Sequence, residues 1–162
     1  MPEHAPGAFH AGSTPLDVAL TQLGVRETAP NRGPQVDEYL RSVGLEPTAG
    51  SYPWCVAFVR WCCSRVGVWL PRTAGVKRLW EMGEDLRVDV PMTGDIAIHL
   101  RPDGLGHCGF VMDWTTTDDG TMIQTIDGNT NAEGSREGDR VAIKDRPRAY
   151  WNMGWLRPRR SE

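Results

Sequence analysis

Ser51-Tyr52-Pro53-Trp54-Cys55-Val56-Ala57-Phe58-Val59-Arg60-Trp61-Cys62-Cys63 runs from a turn through a proline into a long apolar segment. Proline suits the start of a helix, because the first turn leaves its N–H groups unpaired in any case. The helix is predicted to begin near Trp54 or Cys55. Cys55, Phe58, Val59, Cys62, Cys63 and Val66 share one stripe at helical spacing, with Trp54, Ala57 and Trp61 beside it. Only Arg60, Ser64 and Arg65 are polar, so the helix is expected to be central and largely buried. Cys55 then lies at the helix N-terminus, where unpaired N–H groups and the helix dipole favour a thiolate and can bind an oxyanion. Cys62 and Cys63 read as small apolar core residues.

Outward from this helix, the chain divides by period. Residues 1–13 lack periodicity and read as a flexible lead. Thr14-Pro15-Leu16-Asp17 carries the marks of a helix start: a Thr cap, Pro at the first position and an acid three residues on. Its expected inner stripe is Leu16, Ala19, Leu20 and Leu23. Pro34 opens a second helix with Val36, Tyr39, Leu40 and Val43 inward, and Gly44 ends it. Thr73 is a candidate cap for a further surface helix with Val76, Leu79 and Trp80 inward. Beyond Gly83 the period changes to that of strands, expected at 94–100, 107–114, 121–127, 139–144 and 149–156. The fold class is therefore α+β, with N-terminal helices packed on an antiparallel sheet of about five strands.

Composition narrows the function. A chain of 162 residues is one domain with tails, large enough to bury a core without disulfides or metal. The net charge of −3 and the lack of a basic stripe argue against a nucleic-acid partner, although residues 158–162 form a basic tail. No run of about 18 apolar residues is present, so stable membrane insertion is not expected. The N-terminus has no basic or apolar signal region, so synthesis in the cytoplasm is expected, with action after release if the substrate lies outside. Four cysteines, Cys55, Cys62, Cys63 and Cys108, make no disulfide framework at this length, although a bridge to Cys108 is open. There is no CxxC pair, so zinc is not expected. Seven tryptophans are many for this length, and exposed ones can stack on sugar rings.

A thiolate nucleophile needs a base, and the base an orienting group. His4 and His10 fall in the lead and His99 within a strand, whereas His107 opens a strand between Gly106 and Gly109. If the next two strands form a hairpin centred near Thr117, position 107 faces 127. Asp127 can then fix the imidazole tautomer. Asn129 is a second candidate for that task. Alternatively, Ile126-Asp127-Gly128-Asn129 is only a turn.

The order Cys on a helix, His on a strand, and Asp or Asn on the next strand is the papain-like arrangement. Tyr52-Pro53-Trp54-Cys55-Val56-Ala57-Phe58-Val59, Gly94-Asp95-Ile96-Ala97, Gly106-His107-Cys108-Gly109-Phe110-Val111 and Thr125-Ile126-Asp127-Gly128-Asn129-Thr130 together resemble the CHAP family. Its members are cysteine, histidine-dependent amidohydrolases/peptidases that cut bacterial cell-wall peptidoglycan. The resemblance spans residues 15–156, so residues 14–157 are expected to form the catalytic domain. It implies Cys55 as nucleophile, His107 as general base, and Asp127 or Asn129 behind it, Asp127 standing where the family often has Glu. It further implies an oxyanion site from the Cys55 N–H and the Tyr52 hydroxyl.

The sequence lacks the Asp-rich calcium loop of some relatives, so no metal and no cofactor are expected. Bacterial peptidoglycan is the implied partner, with Trp54, Trp80 and Trp114 as candidate glycan-binding residues and a monomer as the working form. The implied activity is that of an endolysin-type N-acetylmuramoyl-L-alanine amidase or endopeptidase. The alternatives are a catalytically silent wall-binding module, or a cysteine amidase or acyltransferase acting on a small cytoplasmic substrate.

Overall fold

The computed structural model describes residue 9, residues 12–130 and residues 138–160. The lead expected over residues 1–13, with His4 and His10, lies almost wholly outside the described residues. Four helices come first in the chain, α1 (Pro15–Thr21), α2 (Pro34–Ser42), α3 (Cys55–Arg65) and α4 (Val76–Met82). Strand β1 (Val68–Trp69) lies between α3 and α4. After α4 come β2 (Arg87–Val88), β3 (Ile96–Leu100), β4 (Gly106–Thr117), β5 (Gly120–Thr130), β6 (Arg140–Pro147), β7 (Gly154–Leu156) and β8 (Arg159–Arg160). The class is α+β, as the change of period implies.

Local chemistry explains the helix ends. Thr14 caps α1 in a reciprocal capping box with Asp17. The inner face of α1 differs from the expected stripe: Val18 and Ala19 are buried, whereas Leu20 and Leu23 are exposed. The helix ends at Thr21, so Leu23 falls outside the helical register altogether. Helix α2 buries Val36, Tyr39 and Leu40. It closes on Gly44 in the left-handed region at φ +85°, which only glycine adopts without strain. Gly75, not Thr73, is the N-cap of α4, and Thr73 Oγ1 accepts the Gly75 N–H.

The sheet has six strands in the order β2-β7-β3-β4-β5-β6, one more than expected, and β1 pairs separately with β8. The added strands are two residues long, too short to show a period. Where a basic tail was expected, Arg159 and Arg160 pair with Trp69 and Val68. The Arg160 guanidinium also donates to the Val66 carbonyl at the end of α3 and to the Ser13 carbonyl.

Helix α3 packs on α1, α2, β4 and β5, and eight of its eleven residues are buried. This helical face of the sheet holds Cys108, Phe110, Ile96, Ile98 and Ile126. A smaller core of Ala97, Val111, Ile123, Trp151 and Trp155 covers the opposite face. Gly128 lets β5 lie directly against α3, since a Cβ there would sit 2.7 Å from Phe58 Cβ and 2.9 Å from Trp54 Cζ3. That close approach fixes the height of β5 relative to the start of α3, where Cys55 stands.

Candidate active site

Cys55 is the first residue of α3, with Trp54 as N-cap. Pro53 precedes the cap, and the Trp54 side chain makes no capping hydrogen bond, so the N-terminal N–H groups there are not taken by a capping carboxylate or hydroxyl. The thiol is 4% exposed and borders a cavity of about 240 Å³ formed by Tyr52, Pro53, Ala74, Val76, Leu105 and neighbouring glycines. Cys55 aside, none of the side chains lining this cavity is ionisable near neutral pH.

His107 reaches the sulfur from the start of β4. Its Nε2 hydrogen-bonds Asp127 Oδ2 at 2.8 Å. Its Nδ1 is buried and makes no hydrogen bond among the described residues, and the ring lies near enough to Cys55 for each group to shift the other's titration. Of the two candidates behind the imidazole, Asp127 is therefore the one bonded to it. Asn129 is buried nearby at φ +56°, where the β5–β6 register shifts between Asp127 and Thr130.

The strand register differs from the expected one. Phe110 pairs with Ile126 and Val111 with Thr125, which puts Gly109, not His107, across from Asp127. The turn lies at 118–119, between the paired Thr117 and Gly120, and a bulge between Val111 and Asp113 shifts the ladder again. Asp127 still meets the imidazole because Gly109 has no side chain. A Cβ on Gly109 would stand 1.9 Å from Asp127 Oδ1, so the carboxylate occupies the place a side chain would fill.

Sequence reasoning passed over Arg146 and gave Cys108 no part in the site. Arg146 Nη1 donates to the same Asp127 Oδ2 at 2.6 Å and approaches Thr125 Oγ1 at 3.5 Å. Its guanidinium lies 5.0 Å from the Tyr150 ring centre and 5.3 Å from that of Trp151. An isolated arginine in a strand gives no local sign of burial, so only the tertiary structure reveals it. Cys108 follows His107 and contacts the Cys55 sulfur.

The electrostatics follow from these contacts. The neighbouring Cys108 thiol and the His107 imidazolium hold the Cys55 thiol well below its ordinary range despite burial. The other two thiols of α3 behave oppositely: burial pushes Cys62 far up and Cys63 up to about 12. Burial alone would lower the His107 pKa, but the Asp127 charge and hydrogen bond, with Cys55, raise it to about 9. Burial likewise opposes the Asp127 carboxylate, and His107 and Arg146 outweigh it and hold the pKa low. Both shifts favour the thiolate–imidazolium form of the pair, the form suited to attack on a carbonyl carbon.

A family model for the CHAP domain matches residues 47–129, from the turn before α3 to the end of the Asp127-Gly128-Asn129 step. The chain belongs to the CHAP domain family. CHAP domains are typically cysteine/histidine amidohydrolases, and the family points to peptidoglycan hydrolysis of the amidase type in general. No curated protein and no solved structure matches the chain.

Of the aromatic residues expected to bind glycan in this CHAP domain, Trp54 is a correction. It is fully buried against Tyr39, with its Nε1–H on Glu27 at 2.8 Å, because as N-cap of α3 it faces the core. Trp80 is half-buried, and Arg87 covers its ring at 4.2 Å. Trp114 is exposed but lies seven residues along β4 from His107, about 23 Å at the usual strand rise. Tyr52 lines the cavity with Cys55, its ring seated over Gly50, where a Cβ would stand 2.8 Å from the hydroxyl.

Proposed function

We propose that this CHAP domain hydrolyses an amide bond of bacterial peptidoglycan, with Cys55 as nucleophile. The observation that carries the reading is a buried thiol at a helix N-terminus, bordering a cavity and neighbouring an imidazole whose Nε2 is held by Asp127 at 2.8 Å. The thiolate attacks the carbonyl carbon. The Cys55 backbone N–H, with the Tyr52 hydroxyl on the cavity wall, stabilises the tetrahedral oxyanion. The imidazolium of His107 gives its proton to the departing nitrogen, the C–N bond breaks, and a thioester remains on Cys55. His107, now neutral, takes a proton from water, and the hydroxide releases the acyl group. Asp127 holds the ring in the tautomer that turns Nδ1 to the sulfur throughout.

The test is clearing of a turbid peptidoglycan suspension by the protein beside Cys55→Ala and His107→Ala variants. Clearing by the parent and a loss of several orders of magnitude in both variants supports the thiol route. Clearing that survives Cys55→Ala overturns it. Mass spectrometry of the fragments assigns the bond. A new muramic-acid end with a free alanine amine marks an N-acetylmuramoyl-L-alanine amidase, and a freed stem or bridge amine marks an endopeptidase.

A further inference from the structure

We propose that Arg146 is a positioning residue of this reaction, the outermost member of a buried relay Cys55–His107–Asp127–Arg146 that fixes the Asp127 carboxylate on the imidazole. The proposal rests on the thiol reading above and assigns a role to a side chain that the matched segment, residues 47–129, does not contain. Three observations carry it. Arg146 and His107 donate to one and the same oxygen, Asp127 Oδ2, at 2.6 and 2.8 Å. The arginine side chain is 8% exposed and that of Asp127 fully buried, so the bond is not screened by water. The guanidinium lies against Tyr150 and Trp151, and Trp151 in turn stacks on His107 at 6.2 Å between ring centres. The same aromatic ring thus braces both donors to the carboxylate.

The charges alternate along this line, from thiolate to imidazolium to carboxylate to guanidinium, and sum to zero in a dry interior. Every neighbouring element contributes a group with a stake in that balance. Cys55 comes from α3, and His99, paired with His107 across β3 and β4, donates Nδ1–H to the Tyr150 carbonyl at 2.6 Å. Cys108 lies on β4, and Lys144 shares the β6 face with Arg146, opposite Thr125. Tyr150 stacks on His99 at 4.0 Å. Among these, Arg146 is the cation bonded to the outer side of Asp127. The Arg146 cation on the β6 side stops the carboxylate from turning away from His107.

The test follows the His107 ring by NMR titration in Arg146→Gln and Arg146→Lys, together with kcat/KM on peptidoglycan. A carboxylate freed to turn away from His107 should lower the imidazole pKa of Arg146→Gln by about one unit or more, with kcat/KM down about 10- to 100-fold; a raised pKa, the effect of lost cationic charge alone, overturns the positioning role. Arg146→Lys keeps the charge, so its pKa should stay near that of the parent and its kcat/KM should exceed that of the Gln variant. A folded Gln variant that titrates and turns over like the parent overturns the proposal. So does an equal loss in both variants with no shift in titration, which marks a structural role only. If Arg146→Gln fails to fold, Asp127→Asn is added. Recovery of the fold in the double variant supports the ion pair, and failure to recover refutes it. The titration reads the relay without turnover, so a parent protein inactive on peptidoglycan would sink the hydrolase reading and leave this measurement standing.

Discussion

Replacing Gly109 by alanine adds one methyl group and tests the whole geometry of the site. Gly109 has ordinary extended φ, so alanine costs nothing in the backbone. The new Cβ would lie 1.9 Å from Asp127 Oδ1, 2.8 Å from its Cγ and 3.0 Å from the Ile126 carbonyl oxygen. Strand β4 is held on both sides, by β3 and β5, so the strand is the firmer partner and the carboxylate must move. It has to retreat by about 1 Å or more, and its Oδ2 then leaves both His107 and Arg146. Breaking a buried charged pair costs about 3–5 kcal/mol, which for a chain of this length is a fall in Tm of about 6–20 °C. A displacement of about 1 Å in a group that orients a base costs about 10²-fold in rate. The assay is kcat/KM on peptidoglycan beside a thermal melt and the His107 titration. An alanine variant with the parent's Tm, imidazole pKa and activity would refute the placement of Asp127 in the space over Gly109, and with it the carboxylate's role in orienting the ring.

The pH profile should hold a plateau through neutrality and fall near pH 9, where His107 loses its proton; a fall centred near 6.5 would mean that Asp127 does not support the imidazolium. Stability has a matching sign. The raised His107 pKa contributes stability that is fully present below about 6.5 and lost as pH rises through about 9. The lowered Asp127 pKa contributes stability present above its ordinary value of 3.8 and lost on further acidification, and melts across pH check both. Cys108→Val removes a thiol that hydrogen-bonds Cys55, so the Cys55 pKa should rise and its alkylation by iodoacetamide at pH 6 should slow several-fold, whereas Cys63→Val should leave that rate alone. Trp54→Ala should cost about 3–5 kcal/mol in the melt as a buried aromatic, whereas Trp114→Ala should leave the melt within about 0.5 kcal/mol. Loss of wall binding by Trp114→Ala without loss of stability would mark it as a glycan contact.

The helices were legible because their signals are local. The capping box at Thr14, the glycine after α2 and the continuous apolar run of α3 each act within a few residues of chain. Cys55 and His107 stood out because each lies in a short motif of the resemblance, whereas Asp127 and Asn129 could not be separated by sequence; the Nε2–Oδ2 bond distinguishes them. The strand register was not: Asp118-Asp119-Gly120 marks the turn, but a centre set near Thr117 and a bulge between Val111 and Asp113 without a sequence mark put the ladder out of step. Trp54 was misread because an aromatic at a helix start looks the same in sequence whether it faces solvent or core. Arg146 was invisible for the same reason: its role depends on which β6 face meets β5, and that is set by register.

These failures and successes share one cause, which also explains why the site holds together. In a sheet, a residue meets the one across the ladder, and a misjudged register by itself would put Asp127 out of reach of His107. Here the residue opposite Asp127 is glycine, so the carboxylate leans over the empty position toward a histidine two residues further along. In that position the carboxylate is bonded from both neighbouring strands, by His107 of β4 and Arg146 of β6. Arg146 restrains it from β6, pressed against Tyr150 and Trp151. Gly109 and Arg146 are therefore two halves of one device, one making room and the other limiting its use. If so, their variants should not add: Gly109→Ala already expels the carboxylate from Arg146, so Arg146→Lys on that background should cost little further activity. Full additivity in that double-mutant cycle would mean that the two residues act on His107 by separate routes.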